Sequence, residues 1–190
     1  MRTFAALLLK EESAIFTSPI AYVVLSVFLV IMGYTFTLTL FVSHVPTLVH
    51  LFFQIYVLFL LTVPIITMRL VAEERRLRTI EMLLTAPVSE PAVVFAKYLA
   101  SLSLVVLMLM LSAAYAITLG ILGRPDWGPI YSGYLGLFLL GAALVAVGLM
   151  TSSLVNNQII AALLSLSLFL LLWIINHSVG CFPIRSMHWW

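Results

Sequence analysis

Long apolar runs, separated by short polar breaks and prolines, organise the chain. A membrane-crossing helix needs about 20 predominantly apolar residues. Five segments meet that requirement, at about 19–41, 46–67, 100–122, 131–153 and 158–175. The third lies within a longer run, 91–122, whose first turns carry Lys97 and are expected in water, with the span proper starting near Ala100. Ahead of the first span, residues 2–16 interleave Phe4, Leu7, Leu8, Ile15 and Phe16 with Arg2, Lys10, Glu11 and Glu12. That pattern suits a short amphipathic helix lying along the membrane surface, and Ser18-Pro19 breaks it cleanly from the span that follows. The predicted fold is therefore all-α: a surface helix plus about five transmembrane helices.

One stretch departs from the apolar pattern. Residues 69–97, RLVAEERRLRTIEMLLTAPVSEPAVVFAK, hold nine of the sixteen charged side chains. Placed on a helix turning about 100° per residue, Leu70, Leu77, Ile80 and Leu84 form one narrow stripe beside a wet face of Glu74, Arg75, Arg78 and Glu81. Glu73 falls inside the apolar stripe, so the amphipathicity is imperfect. Pro87 stops this helix, and Ser89 is suited to cap the next one, with Glu90 and Pro91 in its first turn. The segment thus reads as a folded element between spans two and three. A bare topological anchor needs basic residues only, whereas this loop carries five basic and four acidic ones. Both signs together suit docking to a soluble protein.

Composition closes off other classes. With 8% charged and 64% hydrophobic residues, the chain cannot supply the surface of a soluble domain. A net charge of +2, with no basic cluster interleaved with aromatics, excludes a nucleic-acid groove. The single cysteine, Cys181, cannot form an intrachain disulfide. Basic residues concentrate on the side that opens to the N-terminus and to the 69–97 loop, leaving only Arg124 and Arg185 opposite. The positive-inside rule therefore predicts a cytoplasmic N-terminus, with Trp127, Tyr131 and Tyr134 at the outer interface.

The run from Glu73 to Ser89, followed by Lys97-Tyr98-Leu99-Ala100, resembles the cytoplasmic loop of ABC-2 type transporter permeases, closest to the gliding-motility and nitrous-oxide-reductase-maturation branch. The shared pattern is an acidic pair, a basic patch, Thr79, a hydrophobic residue, Glu81, a Leu pair and Pro87-Val88; Asn156–Gln158 also looks familial. The resemblance implies that the loop contains a coupling helix seated in a groove of a cytoplasmic ATPase. Glu73, Glu74, Arg75, Arg78, Thr79, Glu81, Leu84 and Pro87 are the expected contact residues. Arg78 stands where the family usually has Gly. The resemblance covers about residues 1–175. Residues 176–190 form an atypical tail, and the family's sixth span is expected to be missing. A truncated reading frame and a genuine short variant both account for that.

Chemistry within the chain itself is sparse. No G-x-x-x-x-G-K-[ST] run occurs, so ATP is expected on a separate subunit and no cofactor on this one. Intramembrane hydrolysis would need paired aspartates, a Ser with His, or a zinc-ligand cluster. The chain offers one Asp, Asp126, and no H-E-x-x-H, and it is expected not to be an enzyme. No charge lies deep in a span, which counts against a proton- or ion-coupled carrier. His50 and Gln54 share a helix face and are candidates for a polar path, although such pairs more often bond to a neighbouring helix. Gly141, Gly148 and Ser152 form a small-residue stripe suited to close helix packing. Met108 and Met110 read as packing or lipid-facing residues.

The sequence thus points to the membrane-spanning subunit of an ATP-driven transporter, most consistent with export across a bacterial cytoplasmic membrane. Its expected partners are a cytoplasmic ATPase, a second permease subunit (identical or related) and membrane lipid. The charged loop would serve equally in a non-transporting anchor or scaffold that docks a cytoplasmic protein in a motility or assembly machine. Nothing in the sequence identifies the cargo.

Overall fold

A computed structural model describes residues 2–43, 49–70, 90–122, 127–155 and 157–181. Within them all regular secondary structure is helical: α1 (Arg2–Phe16), α2 (Pro19–Ser43), α3 (Val49–Thr67), α4 (Glu90–Leu122), α5 (Trp127–Leu154) and α6 (Gln158–Cys181). Five of these, α2 to α6, are long and apolar enough to cross a membrane. The amphipathic α1 is the sixth.

The helix starts follow from local chemistry. Pro19 opens α2, where its missing N–H costs nothing, and the Ser18 carbonyl accepts from the Ala21 amide at 3.2 Å. The Asn157 side chain caps α6 by accepting from the Ile159 amide at 3.0 Å. Buried hydroxyls satisfy themselves within their own helices. Thr62, Thr67 and Ser101 donate to the carbonyls of Leu58, Val63 and Lys97, and Ser165 to that of Ala161. Such back-bonding is how polar side chains are accommodated where water is absent.

α3 is the central helix, packed against α2, α5 and α6, while α4 contacts α1, α2 and α5. In the membrane-length windows 56% of α3 is buried, against 17% of both α2 and α6. α2 and α6 therefore form the outer walls of the bundle. Their exposed faces carry Val23, Val30 and Phe41, and Leu163, Leu171 and Ile174. The core draws one or more fully buried side chains from every span: Phe28 and Met32, Phe59 and Val63, Val105 and Met108, Val145, and Phe169. The rings of Phe28 and Phe59 lie 6.2 Å apart. Met108 is fully buried and Met110 is 70% exposed, so one packs and the other faces outward.

The third span is one continuous helix as expected, α4 running 33 residues from Glu90, but its first turns differ from expectation in their surroundings. Lys97 is not in water but 3% exposed. The cause is α1, which packs along these turns and covers them. α6 continues as a helix to Cys181, while its membrane-length apolar stretch is Gln158–Ile175, as expected.

Candidate functional site

Three elements converge at one end of the bundle: α1, the turn that follows α3, and the first turns of α4. In α1, Glu11 falls in register with Phe4, Leu7, Leu8 and Ile15, within the stripe that packs inward, and is 7% exposed. Its carboxylate accepts from Lys97 Nζ at 3.0 Å, a buried ion pair between residues 86 apart in the chain. On the other limb, Arg69 Nη1 donates to Ser18 Oγ at 3.1 Å, tying the end of α3 to the α1–α2 junction. The Leu70 amide donates to the Thr67 carbonyl, closing the turn. Both limbs that flank residues 71–89 are thus fastened to the N-terminal helix or its junction. A cavity of about 230 Å³ lies between them, walled by Ile15, Ile20, Ala21, Ile65, Ile66 and Leu104, with Glu11, Ser18, Arg69 and Lys97 as its polar groups.

α3 and α5 lie side by side and run in the same direction, as the second and fourth crossings must. A Cβ on Gly133 would meet the Phe52 ring, one on Gly141 would meet Val105 Cγ1 at 2.7 Å and Phe59, and one on Gly148 would meet the Thr67 side chain. At the end of the row Ser152 Oγ donates to the Met68 carbonyl at 3.3 Å. From Phe52 to Met68, at about 1.5 Å per residue, this seam extends roughly 24 Å, most of a bilayer's hydrocarbon thickness. α4 crosses it antiparallel: Tyr98 Oη donates to the Ala142 carbonyl at 3.3 Å, and Ser112 Oγ bonds Tyr134 Oη at 3.4 Å.

The expected contact residues Glu73, Glu74, Arg75, Arg78, Thr79, Glu81, Leu84 and Pro87 all lie outside the described residues. Gly141, Gly148 and Ser152 fall together on the α3-facing side of α5. His50 is exposed in the first turn of α3, and Gln54 is half-buried one turn further on. Both sit at the end of the bundle opposite Arg69. Among the described residues no three His, Cys, Asp or Glu side chains gather as metal ligands. Sequence reasoning missed the Glu11–Lys97 pair and Gly133. The signal for the pair was present: one acid in the apolar stripe of an amphipathic helix, and one lysine inside an apolar run.

The comparisons with known proteins agree with this arrangement. A family model described as "ABC-2 family transporter protein" matches residues 43–190, which takes in α3 to α6 and extends beyond the expected limit of similarity at 175. No curated protein and no solved structure gives a significant match. A match over most of a chain whose helices form a multi-pass bundle is sufficient for assignment: the chain belongs to the ABC-2 transporter family, as a membrane-spanning permease component.

Proposed function

We propose that this chain is the permease subunit of an ATP-driven exporter, and that residues 71–89 dock a separate cytoplasmic ATPase. Permeases of this family generally work with such a partner. The observation that carries the proposal is the anchoring of both flanking limbs, Arg69 to Ser18 and Lys97 to Glu11, at the same end of the bundle. A push on a segment held this way is delivered to α3 and α4 together instead of being lost in a slack loop. Glu73, Glu74, Arg75, Arg78, Thr79, Glu81, Leu84 and Pro87 supply the docking surface. ATP is bound and hydrolysed on the partner, and this chain breaks no bond. A second permease, identical or related, completes the translocation path. The membrane is the bacterial cytoplasmic membrane, with the N-terminus inside, as the distribution of Lys and Arg indicates.

The parallel α3–α5 seam offers a route for the motion. α3 ends where the docking segment begins, and its contacts with Gly133, Gly141 and Gly148 run the length of α5. Displacement of α3 therefore moves α5 as well, and a packed seam shifts between discrete arrangements more readily than it deforms continuously.

The test is to purify the tagged chain from membranes in mild detergent and identify what accompanies it. A P-loop ATPase is expected, and it should be lost when Glu81→Lys and Leu84→Lys are introduced while the chain still accumulates in the membrane. A folded, abundant chain that brings down no ATPase would overturn the coupling role and leave an anchor or an orphaned permease as the better account.

A further inference from the structure

α3 contains a proline near its end, Pro64. Pro64 offers no N–H to the Leu60 carbonyl, and its ring presses against that carbonyl, so the helix is weakest between the two. After the proline the turn is closed by its own bonds. The Met68 amide donates to the Pro64 carbonyl at 2.9 Å and the Leu70 amide to the Thr67 carbonyl at 3.1 Å, while Thr67 Oγ1 donates to the Val63 carbonyl at 2.9 Å. Residues 65–70 are therefore a short, internally bonded piece joined to the rest of α3 at its softest point.

The cavity lies against that piece alone. Its α3 side is Ile65, Ile66, Arg69 and Leu70, every one after Pro64, and no residue of α3 before the proline lines it. The facing walls belong to α1, α2 and α4. At about 230 Å³ the cavity exceeds the roughly 150 Å³ that admits a benzene ring, so an isoleucine side chain can move into it.

Contacts on the other side permit departure. There Thr67 sits on Gly148, which has no side chain to interlock with it. Ser152 Oγ holds the Met68 carbonyl at 3.3 Å, long for a hydroxyl donor. The seam contacts of Phe52 and Phe59 with α5 lie before the proline and can stay packed. Residues 64–70 span about 9 Å, so a change in bend of about 20°, the size of a sharp kink, carries the far end about 3 Å.

We propose that residues 65–70 form a hinged lever, turning about Pro64 between the present position and a second one in which its isoleucines fill the cavity. Two packed positions are expected in place of a continuous range, because well-packed contacts are bistable. The hinge is a property of this chain alone and does not depend on the ATPase reading.

The experiment uses the purified full chain with Cys181→Ser, reconstituted in lipid nanodiscs. Spin labels are placed at Met68→Cys, after the hinge, and at Ile159→Cys, exposed on α6, which packs on α3 and is not among the helices facing it across the cavity. Double electron–electron resonance should give two distances about 3 Å apart, the longer from the cavity-filled position. Pro64→Ala restores the missing hydrogen bond and should leave only the shorter distance. Ala21→Phe, on the α2 wall, occupies the space and should do the same with Pro64 intact. A label pair at Leu61→Cys and Ile159→Cys, before the hinge, should give one distance throughout. The thermal unfolding midpoint is followed in parallel, because a proline with a structural role alone would shift the midpoint and leave the distances unchanged. A single distance in the native chain, or survival of the longer one in either variant, would overturn the proposal. So would a matching shift of the Leu61 pair, which would mean that α3 tilts as a whole.

Discussion

At the scale of single residues, the buried pair Glu11–Lys97 is the feature on which stability depends most sharply. Two charges taken out of water recover much of that cost through their mutual attraction. Lys97→Met leaves the Glu11 carboxylate buried among apolar side chains and should cost about 3–5 kcal/mol. Adding Glu11→Leu to the same chain removes the stranded charge, and the double variant should recover most of the loss. Reversible unfolding in detergent, followed by circular dichroism, measures both. A single substitution that costs nothing would mean that water reaches the pair. This residue also shows where sequence reasoning stopped. A lysine seven places into a helix that opens at Glu90 reads as solvated as long as the N-terminal helix is assigned to the membrane surface alone. The apolar settings of Glu11 and Lys97 mark each residue as unusual, but only the packing of α1 onto α4 names them as partners.

At the scale of elements, the helices themselves were legible and their partners were not. Run length, Ser18-Pro19 and Pro91 gave the starts of α2 and α4 closely, because hydrocarbon thickness and proline chemistry act locally. The small residues of α5 were readable as a stripe, but a stripe does not name what it faces. α3 supplies the answer through Phe52, Phe59 and Thr67, and it extends the row back to Gly133, one repeat before the residues that sequence reasoning selected. Substitutions along α5 should therefore divide by position. Gly148→Val puts two methyls where the Thr67 side chain already sits and should destabilise the bundle by about 1–3 kcal/mol through overpacking. Gly136, with nothing within 4 Å of an added Cβ, should tolerate alanine and gain up to roughly 1 kcal/mol from the better helix former. The same unfolding measurement applied to both variants checks the division. Equal effects at the two glycines would mean that α5 does not seat against α3 in this register.

At the scale of the whole molecule, the two ends of the bundle are chemically distinct, and that distinction constrains topology in a way the charge count alone does not. The residues expected to dock a partner lie between two limbs that the fold brings to one end of the bundle. Glu11–Lys97, Arg69–Ser18 and Ser152–Met68 together bring α1, the end of α3, the start of α4 and the end of α5 to one side. Arg124 falls in the sequence between the opposite ends of α4 and α5. A Cys181→Ser background removes the only native thiol, so single cysteines can then report on sidedness. Arg124→Cys should react with a membrane-impermeant maleimide in intact cells, whereas Lys10→Cys and Asn157→Cys should react only after the membrane is opened. Reversal of all three would invert the orientation and place the 71–89 segment outside, where no ATPase could reach it. A split between Lys10→Cys and Asn157→Cys is a separate outcome with a separate meaning. Those two positions share an end through contacts that do not depend on which side is the cytoplasm, so their labelling on opposite sides would refute the arrangement of the helices itself.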